Sequence, residues 1–428
     1  MIERQSAGDG VVTLFVNAAQ TVTCAGPARA RRGAEMQDAG VQSDVGVAVQ
    51  GDRIVDVAAD AALRRRFPGA AEVDCDRGVL APGFVDSHTH AVFGRGRYEE
   101  HELRATGVPY LEIARRGGGI HASVRDLRVR SDDDLFACAV PRLQALAAGG
   151  VTTVEIKSGY GLSVHDELRT LRVIGRLAAA GPLNIVPTCL GAHEVPLEYR
   201  EQRDGRAAWI HCLTNELYPA VAAERLARFA DVFCEPGVFT VPETRRLMES
   251  ARHHGMALKL HADELHDGGA AALAVEMGAT SADHLAAISL EGIAALAASG
   301  TVATLLPATM LFLGTGQQAP ARAMIEAGAA IAVASDLNPG TSPLLSFPLV
   351  LTLAVSQLRL SASEAWIAAT VNGAAALGLA GSTGQLRQGF RADIAVHAAD
   401  DFRALPYWFG ERLCRVAWAG GRACHPSL

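Results

Sequence analysis

Two histidines separated by one residue, His88 and His90, follow a short apolar stretch at residues 82–86. If residues 84–86 form a β-strand, the period-two geometry of the strand points both imidazoles to the same side. Neutral imidazole nitrogens are good ligands for a divalent metal ion, but two ligands are too few for a tetrahedral site. The pair is therefore either two surface histidines at a strand end or half of a metal site that distant residues complete.

Polar residues also follow most of the other apolar runs in the middle of the chain. Each has an ordinary explanation when taken alone, because a histidine at a loop start is usually hydrogen-bonded or solvated, and Asp before Asn-Pro-Gly opens a turn. Their joint placement after successive strands suggests a shared site. These segments are residues 155–161, 191–194, 234–235, 261–264, 283–284 and 335–340.

Three nitrogens and one carboxylate oxygen become available for a metal ion if these strand ends meet. The candidate ligands are His88, His90, His261 and Asp336. A metal ion lowers the pKa of a coordinated water to about 7 in favourable zinc sites, which makes hydrolysis the natural chemistry. Glu264, three residues after a candidate ligand, can accept the water's proton and deliver it to a leaving nitrogen. His284 either polarises a carbonyl, holds the water, or is a further ligand. The predicted catalytic residues are Glu264, His284 and Asp336.

The elements that would position these residues form an α/β pattern. Between residues 81 and 382, short apolar runs alternate with amphipathic stretches, as in βα units with a parallel sheet. The eight apolar runs begin at residues 84, 151, 184, 231, 257, 280, 301 and 330. Helix N-caps are predicted at residues 131, 240 and 361. We expect a (β/α)8 barrel of the TIM type, the catalytic domain, because its strand ends bring distant residues to one centre.

Both ends of the chain are rich in β-branched and apolar residues. Hairpins are predicted around Gly51-Asp52 and around Gly420-Gly421. Neither end has enough apolar surface to form a domain alone, so we expect one small composite β-sandwich domain formed from residues 1–80 and 383–428. Residues 27–42 have weak periodicity and mixed charge, and they are interpreted as a surface loop without an assigned function.

Composition restricts the class of protein. The chain has 428 residues, 49% of them apolar, and a formal charge of -7, which gives no electrostatic footprint for nucleic acid. It contains no apolar run long enough for a membrane span and begins without the pattern of a secretory signal, so we expect a cytoplasmic protein. The eight cysteines show no CxxC spacing, and buried free thiols are expected.

The residues around the candidate ligands resemble the amidohydrolase superfamily, in which a metal-dependent barrel is paired with a small β-sandwich. Within it, the chain is similar to the imidazolonepropionases, which open the ring of 4-imidazolone-5-propanoate to N-formimidoyl-L-glutamate in histidine degradation. The motifs that carry this resemblance lie at residues 82–90, 112–120, 155–162, 190–196, 259–264 and 335–341. The resemblance implies one divalent or trivalent metal ion per subunit, zinc or iron, held by the four candidate ligands. It also implies a homodimer.

The resemblance further implies which residues line the substrate pocket. They are Arg97, Tyr160, His193, Glu264, Asn338, Gly340 and Thr341. A propanoate tail is well matched by a guanidinium, and Arg95 is the nearby competitor of Arg97 for this role. Lys157 is interpreted as a structural lysine outside the site. Cys189 and Thr341 depart from the usual residues of the family, and both retain plausible chemistry.

Two other functions fit parts of the pattern. A deaminase of the same superfamily acting on a guanine- or aminoimidazole-type heterocycle would use the same metal and the same Glu264, so only the pocket residues discriminate. A barrel that had lost its chemistry and served as a scaffold would be expected to lose ligands, and here all four candidates are present.

Overall fold

The computed structural model describes residues 11–108, 112 and 117–425. Residues 1–10 of the predicted sandwich, its last three residues, and residues 113–116 of the motif at 112–120 lie outside this range. The described strands are β1 (Val12–Val16), β2 (Gln20–Val22), β3 (Val41–Gln42), β4 (Val45–Gln50), β5 (Arg53–Ala59), β6 (Ala71–Asp74), β7 (Val79–Pro82), β8 (Phe84–Asp86), β9 (Val151–Lys157), β10 (Asn184–Ala192), β11 (Phe229–Cys234), β12 (Ala257–Ala262), β13 (Ser281–His284), β14 (Val302–Leu305), β15 (Ile331–Val333), β16 (Ile394–His397), β17 (Cys414–Ala419) and β18 (Arg422–His425).

The helices mostly follow the strands of the central sheet. They are Asp60–Arg66, Tyr98–Ala105, Ile120–Arg128, Asp132–Ala148, Val164–Ala180, Leu197–Arg200, Gly205–Cys212, Tyr218–Glu224, Val241–His253, Ala270–Glu276, Leu290–Ala297, Pro307–Leu313, Ala321–Ala327, Phe347–Ser356, Ala362–Ala369, Val371–Ala376 and Ala404–Tyr407. The predicted N-caps are confirmed, since Ser131, Thr240 and Ser361 each accept the backbone N–H three residues on and form a capping box.

The eight strands β8 to β15 form one parallel sheet in sequence order, which confirms the predicted barrel. Its first and last strands meet just beyond their ends. The backbone N–H of His90 donates to the carbonyl of Leu337 at 2.8 Å, and that of Asp336 donates to the carbonyl of His88 at 3.0 Å. These two bonds therefore close the sheet at the residues that sequence analysis selected for chemistry.

Two further sheets lie outside the barrel. One has the order β5-β4-β1-β6, and the other has the order β18-β17-β16-β7-β2-β3. The second sheet combines strands from both chain ends, and both predicted hairpins are antiparallel pairs. Phe15 and Trp418 pack edge to face across the two sheets, with ring centroids 5.0 Å apart. The bounds of the composite domain, 1–80 and 383–428, stay a prediction.

The interpretation of residues 27–42 as a surface loop is wrong in part. The segment contains a 3-10 helix, Gly33–Gln37, whose Met36 is fully buried. Arg31 is buried as well, and its backbone N–H donates to Oδ1 of Asn372 at 2.7 Å. A single helical turn with one apolar residue has too little periodicity to be recognised in the sequence.

The expectation of free thiols is confirmed, and the expectation that they are buried holds for half of them. All eight cysteines are free, and four of them, Cys24, Cys75, Cys189 and Cys234, are buried. Burial raises the pKa of the Cys24 and Cys189 thiols to about 12, so these groups stay protonated at neutral pH. In the described part of the chain, no helix combines the length and the apolar character that crossing a bilayer requires.

Candidate active site

His88 and His90 lie just beyond β8 and are both buried. Their location is fixed by Asp86, the last residue of the strand, whose carboxylate accepts the backbone N–H of Ser335 at 2.9 Å and its hydroxyl at 2.5 Å. This pair of hydrogen bonds ties the first strand end to the loop that carries Asp336. Both imidazoles face the same carboxylate, that of Asp336, as the prediction that they point to one side requires.

The structure brings the four predicted ligands together. Nε2 of His88 lies 3.5 Å and Nε2 of His90 lies 3.6 Å from Oδ1 of Asp336. The rings of His88 and His261 have centroids 4.6 Å apart. His284 joins the same group, since one ligand atom each from His88, His261 and His284 lies within 4.8 Å of the others.

The chemistry of this donor set fits a metal ion. Among the described residues, Nε2 of His88, His261 and His284 has no hydrogen-bond partner although it is buried. Burial, together with neighbouring cations, holds the pKa of His88 and His284 well below the usual histidine range, so both rings are neutral. Neutral nitrogens beside one carboxylate oxygen form a set that zinc and iron both accept.

Two aspartates that were not predicted as site residues lie against the Nδ1 atoms of two of these imidazoles. Oδ2 of Asp283 lies 2.6 Å from Nδ1 of His88, and Oδ2 of Asp231 lies 3.0 Å from Nδ1 of His261. Asp283 accepts the N–H on Nδ1 of His88, which leaves the lone pair on Nε2 of that ring for a metal ion. Asp231 lies beside Nδ1 of His261 without hydrogen-bond geometry, and its other oxygen accepts the backbone N–H of His261 at 3.1 Å.

Lys157 lies fully buried beneath these aspartates. Its Nζ donates to Glu155 at 2.9 Å and to Asp231 at 2.8 Å, and it lies 3.8 Å from Asp283. Burial alone would lower the pKa of Lys157, but the carboxylates of Asp231 and Glu155 outweigh it and raise the pKa. The ammonium thus balances the negative charge that the orienting aspartates bring into the core.

Lys259 supports the same group of charges. Its Nζ lies 3.4 Å from Oδ2 of Asp283 and donates to the carbonyl of Ser87 at 3.2 Å. Lys157 and Lys259 are the only two lysines in the sequence, and every other basic side chain with a permanent charge is an arginine. A compact ammonium fits between several carboxylates, where the broad planar guanidinium does not.

A cavity of about 790 Å³ opens above the histidine group. Most of the predicted substrate residues line it, and these are Arg97, Tyr160, His193, Glu264, Asn338 and Thr341. Gly340 instead lies against Arg97, where a Cβ would be 1.5 Å from Nη2 of the guanidinium. The absence of a side chain at residue 340 is therefore what lets Arg97 reach its position.

Arg97 is buried beside the cavity. Within the described residues, its Nε and Nη1 have no hydrogen-bond partner, and Nη1 lies 3.7 Å from Oε2 of Glu100. Arg95, the competing arginine, is more than half exposed and pairs with Glu99. The geometry thus favours Arg97 as the group that meets an anion in the cavity.

The loop that carries Tyr160 is held by Glu167 and in turn contacts His193. The buried Glu167 carboxylate accepts the backbone N–H groups of Gly159, Gly161 and Leu162 at 2.8–2.9 Å, and so fixes the loop around Tyr160. Nδ1 of His193 lies 2.9 Å from the carbonyl of Gly159. That carbonyl can only accept, so Nδ1 carries the proton and Nε2 of His193 is an acceptor.

Asn338 was predicted to line the substrate pocket, but its side chain hydrogen-bonds within its own loop. Its Oδ1 accepts the N–H groups of Gly340 at 2.8 Å and Thr341 at 2.7 Å. Its Nδ2 donates to the carbonyl of Asp336 and to the hydroxyl of Thr341, both at 2.8 Å. The side chain is thus occupied in shaping its own loop, and a direct contact with substrate stays a prediction.

Glu264 and His284 face each other, with Oε2 and Nδ1 3.6 Å apart. Burial raises the pKa of Glu264 well above its usual range, and the carboxylates of Asp336 and Glu235 add to the shift. Asp263 fixes the loop by accepting the N–H groups of Ala270 and Ala271 at 3.0 and 2.9 Å. A carboxyl group that keeps its proton more readily is suited to proton transfer.

The chain has relatives of known family along most of its length. A family profile described as "Amidohydrolase family" matches residues 121–425. An imidazolonepropionase from Symbiobacterium thermophilum is 47% identical over 401 residues, which is 93% of each chain. The chain belongs to the imidazolonepropionase family of amidohydrolases. A second relative of this name, from Chloroflexus aggregans, is 43% identical over 93% of this chain and 94% of its own length.

The same barrel occurs in more distant enzymes. A crystal structure of an adenosine deaminase from Xanthomonas campestris with bound zinc superimposes with a TM-score of 0.72, covering 97% of this chain and 93% of that one at 19% identity. This similarity concerns the fold. Family membership together with the histidine–carboxylate group supports a metal-dependent hydrolase.

Lys157 provides a test of the charge arrangement below the histidines. Lys157→Met leaves Asp231 and Asp283 without their shared cation, and Lys157→Arg places a group there that is too broad, so both variants should bind zinc at least about tenfold more weakly. Competition with a chromogenic chelator measures this affinity. Arg172→Lys, on an exposed pair with Glu224, is the control. Unchanged affinity in both Lys157 variants would contradict the assignment.

Proposed function

We propose that this protein hydrolyses 4-imidazolone-5-propanoate to N-formimidoyl-L-glutamate, a step of histidine degradation. One observation carries the proposal: a group of neutral histidines with Asp336 and a buried guanidinium, Arg97, border the same cavity. A small ring with a carboxylate tail is the kind of substrate that needs both. The relatives named imidazolonepropionase support the same reaction.

We assign the metal ion, zinc or iron, to His88, His90, His261 and Asp336. When bound, the ion supplies an activated water and polarises the carbonyl that the water attacks. The chain contributes the orientation of the donors, since Asp283 turns Nε2 of His88 toward the centre and Asp231 holds the backbone N–H of His261. His284, neutral and close to Glu264, is assigned to the carbonyl oxygen, to which its N–H can donate.

The substrate is held from both sides of the cavity. The fork of Arg97 can bind the propanoate through two parallel hydrogen bonds, which a lysine could not do. His193 can accept the N–H of the ring through Nε2, and the Tyr160 hydroxyl can donate to a ring heteroatom. These contacts orient the ring so that its carbonyl faces the histidine group.

Glu264 moves the proton. It accepts a proton from the attacking water and then delivers it to the ring nitrogen as the carbon–nitrogen bond breaks, which leaves the new carboxylate on carbon and the formimidoyl group on nitrogen. The pKa of Glu264, raised by burial and by the carboxylates of Asp336 and Glu235, favours the protonated form that donates to the leaving nitrogen.

Glu264→Gln should retain the metal and lose turnover by about 10²–10⁴-fold, because an amide cannot carry the proton. Turnover is followed by loss of the substrate's ultraviolet absorbance, and metal content by atomic absorption. Glu194→Gln is the matched control, since Glu194 also borders the cavity but is paired with Arg200. Wild-type turnover of Glu264→Gln would show that another group transfers the proton.

Arg97→Met should raise KM for the propanoate substrate at least tenfold, since a charged hydrogen bond contributes about 1.5–3 kcal/mol. Arg95→Met should leave KM unchanged, because Arg95 is paired at the surface. The comparison also separates hydrolysis of this substrate from deamination of a heterocycle without a carboxylate. An unchanged KM in Arg97→Met would favour the deaminase.

We further propose a cytoplasmic homodimer. Three consecutive aromatic residues, Tyr407, Trp408 and Phe409, are 76%, 55% and 74% exposed. An apolar group of this kind is typical of a surface that another protein chain covers. Sedimentation equilibrium should give twice the mass of the chain, and Tyr407→Ser with Phe409→Ser should shift the protein toward monomer. A monomeric wild-type protein would contradict the proposal.

A further inference from the structure

Residues 91–96 connect His90 to Arg97 and contain no helix or strand. The connection is fastened at its ends, where the N–H of His90 donates to Leu337 at 2.8 Å and that of Arg97 donates to Pro339 at 3.1 Å. The backbone conformation of this connection sets the position of the Arg97 Cα atom. Arg97 packs closely against Gly340. A small displacement of residues 91–96 would therefore move the guanidinium away from its place beside the cavity.

Arg142, in the helix Asp132–Ala148, contacts this connection from outside the cavity. Its Nη1 donates to the carbonyls of Ala91 at 3.1 Å and Phe93 at 2.6 Å, and its Nη2 donates to that of Gly94 at 2.7 Å. The guanidinium carbon lies 3.4 Å from the centre of the Phe93 ring. One side chain thus holds three carbonyls and one ring of the same short segment.

Among the described residues, Arg142 has no carboxylate within ion-pair distance, and its hydrogen-bond acceptors there are backbone carbonyls. Burial lowers its pKa to about 10, and the group is still charged at neutral pH. A half-buried guanidinium without a carboxylate is costly, and both of its terminal nitrogens donate to the connection between residues 90 and 97.

We propose that Arg142 is a positioning residue for substrate binding, which fixes residues 91–94 so that Arg97 meets the carboxylate of the substrate. The inference rests on the proposed role of Arg97. A second restraint follows Arg142 along the segment, since the N–H of Arg95 donates to Asp126 at 2.9 Å and a Cβ on Gly94 would lie 1.8 Å from the same carboxylate. Arg142 restrains residues 91–94, and Asp126 restrains the backbone at Arg95.

The test is a double-mutant cycle on KM. Arg142→Met keeps the length of the side chain and removes its donors, and it should raise KM about ten- to a hundred-fold, because displacement by about 1 Å costs up to 10². The turnover number should change by less than a factor of three, and the metal content should stay the same. The double variant with Arg97→Met should have the KM of Arg97→Met alone, since both act through one contact.

Arg169→Met is the control, because Arg169 also donates to backbone carbonyls, those of Arg130 and Leu127, in addition to its ion pair with Asp166, but does not border the cavity. Its KM should equal that of the wild type. If Arg142→Met fails to fold, Arg142→Lys, with a single ammonium, should give an intermediate rise in KM.

Two results overturn the inference about Arg142 and leave the assignment of Arg97 standing. One is a wild-type KM in Arg142→Met, and the other is a double variant whose KM exceeds that of Arg97→Met. In both cases Arg97→Met itself still raises KM. If Arg97→Met leaves KM unchanged, the assignment of Arg97 fails and the inference about Arg142 fails with it.

Discussion

Several neutral imidazoles can be buried at one end of the barrel because carboxylates and two ammonium groups lie together beneath them. Asp283 accepts from Nδ1 of His88, Asp231 lies 3.0 Å from Nδ1 of His261, and Lys157 and Lys259 lie among these carboxylates. Without Asp283 the ring of His88 could turn, and without Lys157 the carboxylates of Glu155, Asp231 and Asp283 would share Lys259 alone. The rest of the site depends on this arrangement, since it fixes which nitrogens face the cavity.

The loops above the sheet carry the residues that would meet substrate, and neighbouring polar side chains hold the backbones of these loops. Glu167 holds the loop of Tyr160, Asp263 holds that of Glu264, and Asn338 shapes the last loop. These anchors do not need to touch the substrate. They convert flexible connections into a fixed frame, so that little ordering is required when a substrate binds.

The barrel and the candidate metal ligands could be predicted from the sequence, because strand periodicity and the polarity of strand ends are local properties. The eight predicted apolar runs, the first of which begins at residue 84, are the barrel strands. The predicted ligands His88, His90, His261 and Asp336 do lie close together. Asp231 and Glu167 could not be recognised in this way, since each acts through a partner on another element and its residue type alone shows no role. The buried turn around Met36 was missed because one helical turn leaves no repeat.

The most direct test of the account is a metal titration of turnover. Protein freed of metal with a chelator is supplied with zinc or iron in steps, and N-formimidoyl-L-glutamate formed from 4-imidazolone-5-propanoate is quantified at each step. The account predicts that product formation rises in proportion to bound metal and stops rising at one ion per chain. Full turnover by metal-free protein, or a fully loaded protein that leaves the substrate intact, would contradict it.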